Sequence, residues 1–478
     1  MGRYLVHTFG CQMNAHDSDR MEEVLRAHGW TNAESVEDAD LVVLNTCSVR
    51  EKAEQKLRSE VGKLAPLKNR KNRGLVLAVA GCVAQQEGEK LLARVSHLDL
   101  VIGPDNLAEL PMLVADQMAG APPRARTVFD LDAPRFLAAA PEPGATPVST
   151  FVTTMKGCDE RCSFCIVPYT RGPERYRPSG EIIDEVARWV DSGAREVTLL
   201  GQTVDSYRDP SLPPPASDDP DESQFPSLLR AIATRVPGLR RLRYTSPHPR
   251  HATAALAAAH AELDVLAHHV HMPVQSGSDR MLKRMIRRYT RAEYTERVRR
   301  LLATRPDMTI STDVIVGFPV ETEQDFQATL DLVRDIGFVG LFGFKYSPRP
   351  FTPALKLADD VPEAEKSERL ARLFEVDEAQ TRAHLATLVG TRQEVLVEGP
   401  GKTPKSWEGR TARNEIVHVD GRPAEGRGLA GEVVEVEIRQ AFKHSLAGEL
   451  TAKAIELLPL ESGVARPSRK RRALPLVL

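Results

Sequence analysis

Short apolar, β-branched runs alternate along this chain with stretches in which apolar residues recur every three or four positions. Near the N-terminus Tyr4 to Phe9, Leu41 to Leu44 and Leu75 to Ala80 read as strands, and Asp17 to His28 and Ser48 to Leu64 read as helices. Strand, helix, strand in that order predicts a parallel α/β sheet. Each predicted strand runs into a cysteine: Cys11 in FGCQMN, Cys47 in NTCSVR and Cys82 in AGCVAQ. Open parallel sheets bind ligands beyond the carboxyl ends of their strands, so three thiols far apart in sequence are expected to meet there. The plain alternative is three core cysteines packed as small hydrophobes, but those would fall inside strands rather than just past each one.

Residues 141–147 (PEPGATP) punctuate the chain, and a second rhythm follows. Six β-like runs appear: TFVTTM before Cys158, EVTLLGQ ending at Gln202, RRLRYTS at Ser246, HHVHMPVQS at Ser276, TISTDVIVGFP at Pro319 and LFGFKYS at Ser347. Helical patterns such as GEIIDEVARWVDSG and EQDFQATLDLVRDIG separate them, which predicts an open (β/α)6 barrel rather than an eight-stranded one. The proline- and acid-rich residues 209–227 break the rhythm as a surface insertion. Working residues of such barrels sit at the C-terminal strand ends, here Cys158 to Cys165, Gln202, Ser246, Gln275 and the polar turn after Gly317. Beyond a helix over Glu363 to Leu388, the alternating runs QEVLVEG, NEIVHVD and EVVEVEIRQ predict a small antiparallel, OB-like β-barrel.

Length changes this picture little: 478 residues at roughly 150 per domain suggest about three domains. No apolar run approaches the roughly 20 residues that span a bilayer, so no membrane partner is expected. The N-terminus lacks the pattern of a secretory signal, which makes a reducing cytoplasm the default and turns the six cysteines toward metal or redox chemistry. A net charge of −2 confines any polyanion contact to local basic patches. The decisive stretch is MKGCDERCSFC, with Cys158, Cys162 and Cys165 spaced C-x3-C-x2-C. Structural zinc needs a fourth ligand, and no partner element lies nearby in sequence. Four thiolates saturate a [4Fe–4S] cluster; three leave one iron open for catalysis.

That spacing, with Phe164 before the last cysteine and a barrel strand before the first, resembles the signature of radical S-adenosylmethionine (SAM) enzymes. The strings TFGCQMNAHDSDRM, LNTCSVREKAEQK, GCVAQ, KGCDERCSFCIVPYTRGPERYRPSGEI, LLGQTVDSY, HMPVQSGSDRMLKRMIRRYT, ISTDVIVGFPVETEQDF and YSPRPFTPA resemble the radical SAM methylthiotransferases of MiaB type from about residue 3 to about 455. The resemblance implies an α/β multidomain chain: a Rossmann or flavodoxin-like domain over 1–120 with an auxiliary cluster, a radical SAM core over 144–376, a TRAM RNA-binding barrel over 377–455 and a disordered basic tail over 456–478. It implies that Cys158, Cys162 and Cys165 hold the SAM-cleaving [4Fe–4S] cluster and Cys11, Cys47 and Cys82 a second one. Phe164, Gln202, Ser246, Gln275, Arg177 and Asp313 are the expected contacts to SAM.

The implied reaction cleaves SAM to a 5′-deoxyadenosyl radical and installs a methylthio group at C2 of N6-(dimethylallyl)adenosine, position 37 of tRNA, with SAM also the methyl donor. A tRNA anticodon stem-loop, a one-electron reductant protein and a sulfur donor are the implied partners. Threonylcarbamoyl-adenosine or a ribosomal protein side chain is the alternative substrate, and a non-catalytic RNA-binding protein with a structural metal is the alternative class. Arg171, Arg175 and Arg177 after the cysteine loop are expected at RNA phosphates, as are Lys402, Lys405, Arg410, Arg413, Arg439, Lys443 and His444 of the C-terminal barrel. The run Lys283, Arg284, Arg287, Arg288 and Arg291 reads equally as RNA contact or solvated helix face. The chain departs from the resembled pattern at Val83, Thr203, Asp205, Val320 and Phe351; the last two replace glycines, so their turns are expected to differ.

Overall fold

Strands β1 (Arg3–Phe9), β2 (Thr31–Asn32), β3 (Leu41–Thr46), β4 (Val76–Gly81), β5 (Leu100–Ile102) and β6 (Arg124–Arg126) form one sheet in the order β2-β1-β3-β4-β5-β6. Every pairing in it is parallel. The computed structural model describes residues 2–49, 51–70, 74–132, 134–139, 141, 146–215, 217–403, 406–420 and 428–451; the basic tail, the centre of the PEPGATP linker and Lys405 lie outside the described residues. β3 and β4 are buried throughout. One face packs on Leu57, Val61 and Leu64, the other on Met21, Leu25 and Leu113, so both strands read as continuous apolar runs.

Chain order reverses between β1 and β3, and that switch point is where such sheets bind ligands. Cys11 follows β1, Cys47 follows β3, and Cys82 opens the helix after β4. The first helix, Gln12–Ala27, starts earlier than its apolar period suggests because Cys11 is its N-cap, with Asn14 Oδ1 accepting the Cys11 N–H at 3.4 Å. Strands β2, β5 and β6 are too short to show a period, which is why the sequence did not display them.

The second unit holds β7 (Ser149–Thr153), β8 (Met155–Lys156), β9 (Arg175–Tyr176), β10 (Glu196–Leu200), β11 (Arg241–Tyr244), β12 (His269–His271), β13 (Thr309–Val316) and β14 (Leu341–Lys345). β8 and β9 pair antiparallel and pinch off the cysteine loop. The other six form two parallel sheets, β11-β10-β7 and β12-β13-β14. Leu242 joins them, accepting from Ala267 N at 3.0 Å and donating to Val265 O at 2.7 Å. β7 and β14 do not pair among the described residues, so this is the open six-unit barrel the alternation predicts. Its helices close over one apolar core that includes Val152, Ile182, Val197, Leu229, Val270 and Phe326.

Helix Glu363–Thr387 leads into a closed barrel of β15 (Arg392–Pro400), β16 (Ser406–Thr411), β17 (Ile416–Asp420), β18 (Val433–Ala441) and β19 (Leu446–Leu450), ordered β15-β16-β17-β19-β18. It is not wholly antiparallel as expected: β17 and β19 run parallel, because the long return through β18 brings β19 back in the direction of β17. This barrel docks through its β16–β17 turn. Arg241 and Arg243 donate to the carbonyls of Arg410 and Thr411, and His268 N donates to Ala412 O at 3.1 Å. Those partners lie at the starts of β11 and β12, so the small barrel sits at the opposite end of the large one from the cysteine loop.

Candidate functional site

The cysteine loop begins at Gly157, whose φ is +81°; a Cβ there would stand 1.9 Å from Pro173 O. Only glycine fits, and it lets the loop fold back so that Gly157 N donates to Gln202 Oε1 at 2.6 Å and Cys158 N to Gly172 O at 3.1 Å. Ser163 pins the far side, its N–H to Met285 O and its hydroxyl to Arg284 O. Cys158 Sγ lies 2.9 Å from Thr203 Oγ1, and Arg287, fully enclosed, donates to Cys162 Sγ at 3.3 Å. Burial pushes the Cys158 thiol above its usual range, and the Cys165 sulfur raises it further. Burial likewise pushes Cys165 up to about 12, with Cys162 adding to it.

In the first sheet Cys47 hydrogen-bonds Cys11 and lowers it to about 6 against the burial that opposes ionisation. The same bond, with burial, raises Cys47 well above its usual value, so this pair gives up one proton readily and the second reluctantly. Val49 N donates to Cys47 Sγ at 3.3 Å, and Arg171 Nε to Cys82 Sγ at 3.2 Å. All six cysteines are free thiols. No three His, Cys, Asp or Glu side chains among the described residues converge on a single-ion site. Thiolates that each hold a separate iron of a four-iron cluster stand farther apart than ligands of one ion. Clustered thiols that burial and mutual repulsion keep from ionising together, yet which receive N–H and O–H donors, fit a polynuclear cationic group.

The two triads share one seam. Arg171, just past the barrel loop, reaches the Cys82 sulfur and Asp17 Oδ2, and the helix Cys82–Glu87 packs on Val167–Thr170. Arg349 donates to Val49 O at 3.0 Å, while Ala354 N donates to Ser163 O at 2.8 Å. This corrects the expectation for the VPYTRGPERYRP string. Arg171 and Arg175 are buried and paired with Asp17 and Asp105 of the first domain, so they dock the domains rather than meet RNA phosphates, and Arg177 is buried against Glu185 within the barrel. The Arg177 guanidinium donates to Glu181, Glu185 and Thr153 O. Three arginines so close together look like a phosphate site until their acidic partners, two of them distant in sequence, are known.

Other expected contacts divide into two groups. Gln202 lies against the loop with its Nε2 buried and unpartnered, and Ser246 is exposed with φ +60° at the end of β11. Gln275, φ +74°, and Asp313 sit in the other half-barrel, with Gln275 N on Asp313 O and Asp313 paired to His271. Phe164 packs beneath the loop beside Met281, Met285 and Phe318. Sequence reasoning missed Glu160, His248 and His251, and it read Arg287 as RNA contact or solvated helix face, whereas Arg287 is buried on the Cys162 sulfur. His251 Nε2 meets Glu160 Oε1 at 3.0 Å, Glu160 Oε2 and His248 Nε2 face each other at 3.8 Å without a hydrogen bond, and Asp205 Oδ2 is buried without a hydrogen-bond partner. The HPRH string directly after β11 was the available signal. Open donors and acceptors beside Cys158 fit a small zwitterionic ligand.

Uncharacterized protein family UPF0004 matches residues 3–103, the Radical SAM superfamily residues 152–333 and the TRAM domain residues 386–451. Among solved structures, the radical S-adenosylmethionine methyltransferase TsrM from Kitasatospora setae superposes with TM-score 0.51 at 16% identity, covering 74% of this chain and 76% of that one, a likeness of fold. An open (β/α)6 barrel with C-x3-C-x2-C after its first strand defines a radical SAM protein. A tRNA-2-methylthio-N(6)-dimethylallyladenosine synthase from Sorangium cellulosum is 63% identical over 100% of this chain and 99% of its own length. That of Neisseria meningitidis serogroup B is 44% identical over 88% and 94%. The chain belongs to the tRNA-2-methylthio-N(6)-dimethylallyladenosine synthase family of radical SAM methylthiotransferases.

Proposed function

We propose that this chain installs a methylthio group at C2 of N6-(dimethylallyl)adenosine, position 37 of tRNA, using SAM as radical source and as methyl donor. The observation that carries the reading is the meeting of two thiol triads at one domain seam, in a chain of this family. Cys158, Cys162 and Cys165 would hold one [4Fe–4S] cluster, and Cys11, Cys47 and Cys82 the other. When bound, the first supplies through its open iron the electron that cleaves the SAM sulfonium.

The chain's own residues bind, orient and shield. Thr203 and Arg287 hydrogen-bond the sulfurs of Cys158 and Cys162 and hold them in place. Gln202 Nε2 and Asp205 Oδ2, and the loosely paired Glu160 Oε2 and His248 Nε2, would meet the amino, carboxylate and ribose groups of SAM. Gln275, Ser246 and Asp313 complete the polar rim. Burial of Cys158 and Cys162 would limit water at a reactive radical.

Residues 1–120 then carry the auxiliary cluster, 144–376 the radical chemistry and 377–455 an RNA-binding module. A one-electron reductant protein and a sulfur donor serve the reaction in the cytoplasm; no described helix is long and apolar enough to cross a membrane. The test is anaerobic reconstitution of the full chain, followed by incubation with SAM, reductant and tRNA carrying or lacking the dimethylallyl group, and mass spectrometry of the nucleosides. Methylthiolation of the dimethylallyl tRNA alone is expected. Turnover indifferent to that group, or product only on threonylcarbamoyl-adenosine or protein, overturns the reading.

A further inference from the structure

Phe351 is the most exposed large apolar side chain among the described residues, at 57%, and its backbone is left-handed with φ +68°. A bulky residue there is strained, and an exposed ring recovers no core burial to offset the strain. Its ring faces that of Tyr169, itself 39% exposed, with centroids 5.9 Å apart and planes diverging by 38°. The rings therefore form a wedge and do not stack flat, so each keeps an open face.

Both rings are fixed to the two thiol triads. Tyr169 lies on the short helix Val167–Thr170, which follows Cys165 and packs on the helix opened by Cys82. The Phe351 turn is closed by the Thr352 hydroxyl on Arg349 O at 2.7 Å. Arg349 ties it to Val49, beside Cys47, and Ala354 ties it to Ser163, between Cys162 and Cys165. Ser163 in turn holds the carbonyls of Arg284 and Met285, in a segment where Lys283, Arg284 and Arg288 are exposed. Open aromatic faces beside unburied cations are how proteins hold unpaired nucleotides: bases stack while phosphates meet charge.

We infer that Tyr169 and Phe351 form a stacking platform for an unpaired base of the tRNA anticodon loop next to the base that enters the seam. The inference rests on the proposed tRNA substrate. An RNA base is favoured over a protein side chain because the wedge stands where both cluster loops converge, and the base to be modified must come there.

The test is fluorescence anisotropy of the full-length chain with a labelled anticodon stem-loop and with a duplex of equal length lacking a loop, alongside thermal unfolding. Phe351→Leu and Tyr169→Leu are expected to weaken stem-loop binding by about fivefold or more and to leave duplex binding unchanged. Tyr169→Phe, which keeps the ring, should bind as the parent does. Phe351→Gly should weaken stem-loop binding yet unfold at a higher temperature, because glycine relieves the left-handed strain. That opposition of signs separates a platform from a structural contact. Unchanged affinity of the leucine variants, equal loss on the duplex, or a lower unfolding temperature for Phe351→Gly overturns the platform. A parent chain that fails to bind the stem-loop at all overturns the tRNA reading instead.

Discussion

Gly157 shows how far one residue decides the site. A Cβ there meets backbone, not a flexible side chain, and φ +81° is strained for any other residue. Gly157→Ala should cost about 2–4 kcal/mol locally and cut iron bound by the barrel triad while sparing the other. Iron content and the unfolding temperature check it: loss near half of the parent's iron is expected, and full retention refutes the close approach. The six cysteines were legible because thiolate chemistry resides in residue type and spacing. Arg177 was not, because an arginine's role depends on which acid it meets, and Glu185 is buried against it by the fold of helix Ser179–Asp191.

Among elements, strands set in longer β-like runs declared themselves, even three-residue β12 within HHVHMPVQS, whereas β2, β5 and β6 exist only because neighbours supply their hydrogen bonds. Glu196, at the start of β10, joins β11 to the C-terminal barrel: it pairs Arg241 and Arg243, which also hold the 410–411 carbonyls. Burial opposes its ionisation, but the two arginines hold its carboxyl down to about 2. A depressed folded-state value contributes stability that is full above the ordinary glutamate range and is lost as pH falls from about 4.5 toward 2. The contribution is on the order of 3 kcal/mol. Denaturant unfolding at pH 6 and pH 3.5 should therefore show a smaller acid-induced loss for Glu196→Gln than for the parent, from a lower starting stability. Equal pH dependence of the two would remove Glu196 from the account.

At the scale of the molecule, charge sorts itself by burial. Arg171 and Arg175 lock the first domain to the barrel and Arg177 pairs inside the barrel, while Lys283, Arg284 and Arg288 remain exposed beside the cysteine loop. In the C-terminal barrel Arg413 is buried against Glu415 and Arg410 pairs Glu398, which leaves Lys402 and His444 exposed, with Arg439 and Lys443 exposed but bound to acids. Replacing Lys283, Arg284 and Arg288 together by Gln should weaken tRNA binding and flatten its dependence on log salt by about 2–3. Arg175→Gln should leave that slope alone and lower stability by about 1–3 kcal/mol, since buried Asp105 loses one of its two cationic partners and keeps Lys156. Titrations at three salt concentrations with unfolding curves separate the two; a changed slope for Arg175→Gln would put it back on the RNA face. The sequence by itself determined the cluster chemistry and the order of three α/β and β units, because local period and ligand spacing are properties of neighbouring residues. Only the tertiary structure decided which arginines are docking bolts, that the C-terminal barrel sits opposite the cysteine loop, and that the triads share a seam with Tyr169 and Phe351, because each of those facts depends on partners brought together from distant parts of the chain.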